Sequence, residues 1–220
     1  MSLPEPRSST GCATCPTSRC CVAFDPELTG FDLIRLMSLG LAVDDIAELR
    51  PTRADQAGED AIMLGDLCAW DLRLRRTGEA LQATRDFPDP RLDPRRCGFL
   101  VTFGGRSRCG VYGSRPMACR LFPSAMTPLG IFVDTPEAIC PPNAFSQERS
   151  DLATLAVLHR RAALERDAFR LFLVAWNARG SSDVPHFFSA LLAFARAFNN
   201  GDLADPTTWP DKVRASLTSD

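Results

Sequence analysis

Cysteine is the residue type with the clearest capacity for chemistry in this chain, because eight of its nine cysteines occur in two groups. One group lies near the start of the chain and the other between residues 97 and 140. The eight are Cys12, Cys15, Cys20, Cys21, Cys97, Cys109, Cys119 and Cys140. Thiolates are soft ligands that favour Zn²⁺ or iron–sulfur clusters. The two groups therefore predict a metal site.

The spacing within the first group indicates a metal without identifying it. Cys12 and Cys15 form a C-x2-C pair, so one turn can present both sulfurs to one ion. Cys20 and Cys21 are adjacent, and neighbouring side chains usually diverge, so they serve different sites or one binds metal while the other packs. Eight thiols suit two four-ligand zinc sites or one four-thiolate cluster. The spacing matches neither ferredoxin runs nor a zinc ribbon.

Composition and charge indicate where the protein is located in the cell and which classes of partner it lacks. The first ten residues lack the apolar stretch of a secretory signal, and no segment has the roughly 20 apolar residues that a membrane helix needs. We therefore expect a cytoplasmic protein without a membrane partner, in which thiols stay reduced and act as ligands rather than disulfides. The formal net charge of −2 predicts no nucleic-acid partner.

The N-terminal half favours short, interrupted elements. Residues 25–50 favour a helix that ends at Gly40, followed by a second short helix over Val43–Leu49. The apolar face of the first helix comprises Leu33, Leu36, Met37 and Leu39. These elements must hold the first cysteine group in a loop rich in Gly, Pro, Thr and Ser.

Strand-like patterns precede and accompany the second cysteine group. Residues 62–76 alternate in part, which predicts a strand in which Cys68, the ninth cysteine, is a buried core thiol rather than a ligand. We expect another short strand near Gly98–Phe103, followed by a Gly-Gly turn at 104–105. The second cysteine group would thus lie at strand ends and in loops.

The last third is helical in character. Apolar residues at helical spacing predict two amphipathic helices within 145–177 and 184–200 that pair and supply the apolar core. His159 and His186 lie in them and are interpreted as satisfied or exposed side chains rather than ligands or bases. The predicted fold is α+β, mainly α, with a loop-rich, metal-bound N-terminal half, a few short strands and a helical C-terminal third.

The predicted domain organisation is a single domain with a tail at each end. A disordered tail (1–10) precedes one cysteine-cluster metal-binding domain (11–200), and a C-terminal tail (201–220) follows it. Within the domain, 11–144 is the cysteine-rich part and 145–200 the helical part.

Further residues accompany the cysteines in a fixed order. A C-x-F-L box is formed by Cys97, Phe99 and Leu100, and a C-x-x-Y-x-x-R-P-x-x-C-R-x-F-P box by Cys109, Tyr112, Arg115, Pro116, Cys119, Arg120, Phe122 and Pro123. Together with the first group and the final Cys140, this order resembles the YkgJ-type cysteine-cluster family of zinc- or iron-chelating proteins. That family includes the cysteine-rich part of flagellin lysine N-methylase.

The resemblance implies that the clustered cysteines chelate metal. It also implies that Tyr112, Arg115 and Arg120 are cofactor-binding residues. The arginines would offset the net charge of about −2 that four thiolates around Zn²⁺ carry. The alternative is that both arginines pair with loop carboxylates or carbonyls.

The favoured function is ligation of an iron–sulfur cluster, [4Fe–4S], with a redox or structural role. One alternative is a structural Zn²⁺ module that binds a protein partner through its helical third. The other is an enzyme that modifies protein side chains, as the methylase does.

Overall fold

The structure is a computed structural model, and it describes residues 20–52, 61–65, 69–77, 96–103, 106–133, 150–198 and 201–218. Of these residues, 53% are helical and 23% lie in strands, which confirms a mixed α+β fold that is mainly α, with a helical C-terminal part. Among the helices of these ranges, none combines the length and apolar character that crossing a membrane demands.

The helices and strands are numbered in chain order. The helices are α1 (Cys20–Ala23), α2 (Gly30–Met37), α3 (Val43–Ile46), α4 (Met117–Leu121), α5 (Leu152–Asn177), α6 (Val184–Arg196) and α7 (Trp209–Thr218). The strands are β1 (Ala47–Thr52), β2 (Ile62–Met63), β3 (Ala69–Leu74), β4 (Arg76–Thr77), β5 (Arg96–Cys97), β6 (Leu100–Phe103), β7 (Arg106–Cys109), β8 (Ser124–Thr127) and β9 (Gly130–Val133). Short 3-10 helices cover Tyr112–Ser114, Asp202–Ala204 and Pro206–Thr208.

The chain forms two compact units, and the predicted single metal-binding domain over 11–200 stays a prediction. Unit 1 comprises Met1–Pro26 and Leu74–Arg160, and unit 2 comprises Glu27–Arg73 and Arg161–Asp220. Each unit therefore combines segments far apart in sequence, which a division by composition along the chain does not detect.

Unit 2 contains the paired helices that the apolar spacing predicts. Phe172 on α5 packs against Phe187 and Phe194 of α6, with ring centroids 6.1 and 5.2 Å apart. All three side chains are buried. The end of α5 also binds β2, because the amide of Met63 donates to Asn177 Oδ1 at 2.9 Å and Trp176 Nε1 donates to the Met63 carbonyl at 3.3 Å.

Helix α2 is shorter than predicted and begins at a capping box. The Thr29 hydroxyl accepts from the Asp32 amide, and an Asp32 carboxylate oxygen accepts from the Thr29 amide at 3.0 Å. This reciprocal pair satisfies two amides that a helix start otherwise leaves unbonded. Leu33 and Leu36 are buried, as the apolar face predicts, but Leu39 is 50% exposed because it lies beyond the last turn.

The predicted helix over Val43–Leu49 is wrong beyond Ile46. Helix α3 ends there, and Ala47–Thr52 form β1 at the edge of a three-stranded sheet ordered β1-β3-β2. Pro51 lacks an amide proton and disfavours helix at the residue before it, whereas an edge strand tolerates proline. The strand predicted over 62–76 is interrupted: it comprises β2 and β3, and Cys68 lies outside the described residues.

Unit 1 contains three two-stranded antiparallel pairs, β4–β5, β6–β7 and β8–β9, within its described residues. The strand predicted near Gly98–Phe103 starts at Leu100, because Gly98 and Phe99 form a turn. The Gly-Gly turn at 104–105 lies outside the described residues. Short strands thus carry Cys97 and Cys109, two of the four cysteines of the second group.

The predicted C-terminal tail contains a helix. Helix α7 spans Trp209–Thr218, and Trp209, Val213 and Leu217 on it are buried. Their spacing of four places all three on one face. The predicted disordered tail 1–10 lies outside the described residues.

Candidate metal site

Five cysteines are described, no two of these five form a disulfide with each other, and all belong to unit 1. They lie on four elements: Cys20 and Cys21 on α1, Cys97 on β5, Cys109 on β7 and Cys119 on α4. Each of the five interacts electrostatically with other thiols of the set. The fold therefore brings together thiols from residues 20–21 and 97–119. Cys12, Cys15 and Cys140 lie outside the described residues.

Cys97 and Cys109 are positioned by one turn. Gly98 donates its amide to the Arg75 carbonyl at 3.0 Å, and Gly110 donates its amide to the Phe99 carbonyl at 2.8 Å. The first bond holds the turn that follows β5 against Arg75, and the second ties the end of β7 to the same turn. Burial raises the pKa of Cys97 to about 11, although a hydrogen bond from the Phe99 amide acts in the opposite direction. An amide aimed at a sulfur is typical of loops that hold thiolate ligands.

Cys20 and Cys21 behave differently although they are adjacent. The Cys21 thiol donates a hydrogen bond to the Cys20 sulfur, which is the main reason that the pKa of Cys20 falls to about 7, and Arg115 contributes to the same effect. The same bond, together with burial, raises the pKa of Cys21 far above its usual range. Of the two side chains, Cys20 is therefore the one that ionises more readily to a thiolate.

Cys119 lies on α4, the short helix that follows Pro116. Burial is the main reason that its pKa is raised well above the usual value. The neighbouring sulfurs raise this pKa further, and Arg115 lowers it. A neutral thiol is therefore the stable form of Cys119 until a cation replaces its proton.

The donor chemistry of the described thiols fits a soft metal or an iron–sulfur cluster. Among the described ranges, no three His, Cys, Asp or Glu side chains are arranged around a single point that would hold one ion. The described thiols are thus neighbours in one electrostatic cluster and do not form a finished coordination sphere.

Arg115 is a buried cation beside this cluster. Its side chain is buried, and its guanidinium carbon lies 3.9 Å from the centroid of the Tyr112 ring. The charge of Arg115 favours the thiolate forms of Cys20 and Cys119. A cation held over an aromatic face keeps its charge in a partly desolvated place. Arg115 and Tyr112 therefore have the surroundings that a role beside an anionic centre requires.

Arg120 has a different role from Arg115. Its Nε donates to the Arg115 carbonyl at 3.0 Å, and its Nη2 donates to the Gly113 carbonyl. Both contacts hold the segment before α4 in place. This matches the alternative interpretation of Arg120, pairing with loop carbonyls, and makes it a positioning residue for Arg115.

Arg76 is a residue of this cluster that the sequence did not indicate. The register of β4 and β5 places Arg76 opposite Cys97, and its charge favours the Cys97 thiolate. Its guanidinium is held by Asp25, at 3.3 Å, and by the Phe24 carbonyl, at 2.8 Å. The signal for Arg76 is a pairing between strands 20 residues apart, so no local motif could have indicated it.

The described contacts of the two histidines are with a serine hydroxyl and a tryptophan ring. Ser124 Oγ donates to the Leu121 carbonyl, so it accepts from His159 Nε2 at 2.9 Å. The hydroxyl proton is thus committed, and the pair lacks the arrangement of a nucleophile with its base. His186 lies at the start of α6, with its ring 5.5 Å from Trp176.

Comparisons with known proteins add no identification. No family model matches the chain, and neither a curated protein nor a solved structure matches it. The resemblance to the YkgJ-type family therefore stays a prediction from the residues.

Alkylation of the reduced protein in a short pulse directly after metal removal, before unit 1 unfolds, should distinguish the thiols. The thiolate is the reactive form, so we expect iodoacetamide to modify Cys20 first, at a rate that rises through about pH 7 and then levels off. Cys97 should react slowly until the pH approaches about 11. Peptide mapping by mass spectrometry measures both rates. Equal rates for Cys20 and Cys97 at pH 7 would contradict the proposed difference in their surroundings.

Proposed function

We propose that this protein binds a [4Fe–4S] cluster through cysteine thiolates of unit 1, and that the cluster has a redox or structural role. Its four ligands come from the eight clustered cysteines named above. The observation that carries the proposal is the electrostatic cluster of five thiols drawn from four separate elements. The cluster would be built in a reducing compartment such as the cytoplasm, where thiols stay available as ligands.

The energetics of the thiols support a resident cation. Burial and mutual repulsion disfavour thiolates at Cys97 and Cys119. A bound metal reverses this preference because it replaces the protons and supplies the opposing charge. Four thiolates around either a cluster or Zn²⁺ leave a net negative charge of about −2. Arg115 and Arg76 lie where they would offset it.

Anaerobic purification is the direct test. The proposal predicts a brown protein with broad visible absorption and about four iron and four sulfide per chain. A colourless protein with stoichiometric zinc would contradict the cluster and favour a structural zinc module that uses the same ligands. Protein without any bound metal, purified from cells grown with iron and zinc, would contradict metal binding altogether.

Cys20 and Cys21 provide a matched pair of variants. Cys20→Ser should lower the metal content strongly, because the proposed ligand is lost. Cys21→Ser makes the same chemical change one residue away and should retain most of the metal, since a serine hydroxyl can still donate to the Cys20 sulfur. An equal loss in both variants would show that both thiols bind metal. Metal analysis and the visible spectrum give the readout.

A further inference from the structure

A hollow of about 430 Å³ lies on the β6–β7 hairpin of unit 1, and Val101, Phe103, Arg108, Cys109 and Gly110 line it. Its volume is within the range of roughly 300–1,000 Å³ that small-molecule sites occupy. The walls are apolar side chains that remain open to solvent: Val101 is 55% exposed and Phe103 is 89% exposed.

The hairpin backbone determines which residues meet in the hollow. Its register places Val101 directly opposite Arg108, so these side chains share one face of the hairpin with Phe103. The next pair, Leu100 and Cys109, has its side chains on the other face. Gly110 follows, where a Cβ would lie 2.9 Å from Val101 Cγ2 and 3.3 Å from the Phe99 carbonyl oxygen. A side chain at 110 would therefore collide with the wall, and glycine allows the end of β7 to approach it.

Arg108 gives the hollow its charge. It is exposed, and within the described ranges its side chain forms neither an ion pair nor a hydrogen bond. An uncommitted guanidinium beside apolar walls suits a molecule that carries an anionic group on an apolar body. Arginine also offers a forked set of donors that matches the oxygens of a carboxylate or a sulfonate.

We propose that this hollow binds a small organic anion, with its charged group on Arg108 and its apolar part against Val101 and Phe103. Since Cys109 borders the hollow while its side chain lies on the other face of the hairpin, and since it belongs to the proposed ligand set, the bound molecule and the metal centre would lie on the two sides of this hairpin. That last step rests on the proposed function, whereas the ligand site itself rests on the hollow alone.

Two fluorescent probes of similar shape test the proposal on the protein as purified. Anilinonaphthalenesulfonate is anionic, and phenylnaphthylamine is its neutral counterpart. We expect saturable binding of one anionic probe per chain, weakened about three- to tenfold in Arg108→Gln. The neutral probe should bind both proteins equally. Arg160→Gln, which changes another exposed arginine of unit 1, is the matched control and should bind both probes as the unaltered protein does.

Two results would overturn the ligand site: no saturable binding of the anionic probe, or equal weakening in Arg108→Gln and Arg160→Gln. Metal content is measured on every sample, so a failure of the proposed function is seen separately. The expected binding pattern in protein without metal would contradict the metal centre and its link to the hollow, and would leave the ligand site standing.

Discussion

Removal of the proposed metal is expected to unfold unit 1 and to leave unit 2 folded. The reason is the distribution of apolar core. Among the described residues, the twelve largest fully buried side chains include only one from unit 1, Leu158, whereas unit 2 contributes the other eleven, among them Trp176 and Phe172. The described part of unit 1 therefore buries few large side chains, and a structural metal site would contribute stability on the order of 10 kcal/mol.

Hydrogen exchange on the full chain, with and without metal, measures this effect. Stripping with a strong chelator, after oxidation if iron is present, should abolish protection of peptides in β5–β7 and α4. Peptides from α6 in unit 2 serve as the internal control. All three tryptophans, Trp70, Trp176 and Trp209, belong to unit 2, so their fluorescence should change little. Protection from hydrogen exchange that persists in unit 1 after complete metal loss would contradict this prediction.

Replacement of Glu165 by leucine is expected to destabilise unit 2 by about 3–5 kcal/mol. Glu165 is buried and accepts from Arg35 through both carboxylate oxygens, at 2.7 and 2.9 Å. Burial alone would lower the pKa of Arg35, but Asp32 and Glu165 raise it above its usual value. Arg161 also donates to Glu165 at 2.8 Å. Without Glu165, two guanidinium groups lose their shared carboxylate and Arg35 remains largely buried.

Urea unfolding followed by tryptophan fluorescence gives the free energy of unfolding of unit 2. Asp211→Asn is the control, because the side chains of Asp211 and its ion-pair partner Arg214 are 80% and 76% exposed. An exposed pair of this kind should contribute about 0.5 kcal/mol or less to the free energy of unfolding. The double variant Arg35→Met with Glu165→Leu should recover part of the loss, since it removes the buried guanidinium together with Glu165, while Asp32 keeps its hydrogen bond from the Thr29 amide. A single variant as stable as the unaltered protein would show that the ion pairs do not stabilise the fold.

The helices were the easiest part to predict. Long apolar repeats mark α5 and α6, and such patterns depend only on neighbours three and four residues away. At the end of α5, Trp176 and Asn177 bind β2 through their side chains and therefore have a structural role. Short strands such as β4 and β5 were missed because two-residue strands exist only by virtue of a distant partner.

The candidate site likewise has features that local sequence patterns indicate and features that depend on contacts between distant segments. Local spacing identified the clustered cysteines and the accompanying box, because ligand type and motif order are properties of the chain alone. Spacing could not separate Arg115 from Arg120, since both lie in one motif. Their roles differ because Arg120 reaches two backbone carbonyls while Arg115 lies over Tyr112 beside the thiols.

The sequence by itself determined the chemistry available to this protein, which is soft thiols in a chain with two amphipathic helices. Only the tertiary structure decided which thiols meet, that Cys21 donates to Cys20, and that Arg76 faces Cys97. The physical reason is that thiol ionisation depends on burial and on charges brought from distant segments. Such effects follow from packing, and no local spacing in the chain contains them.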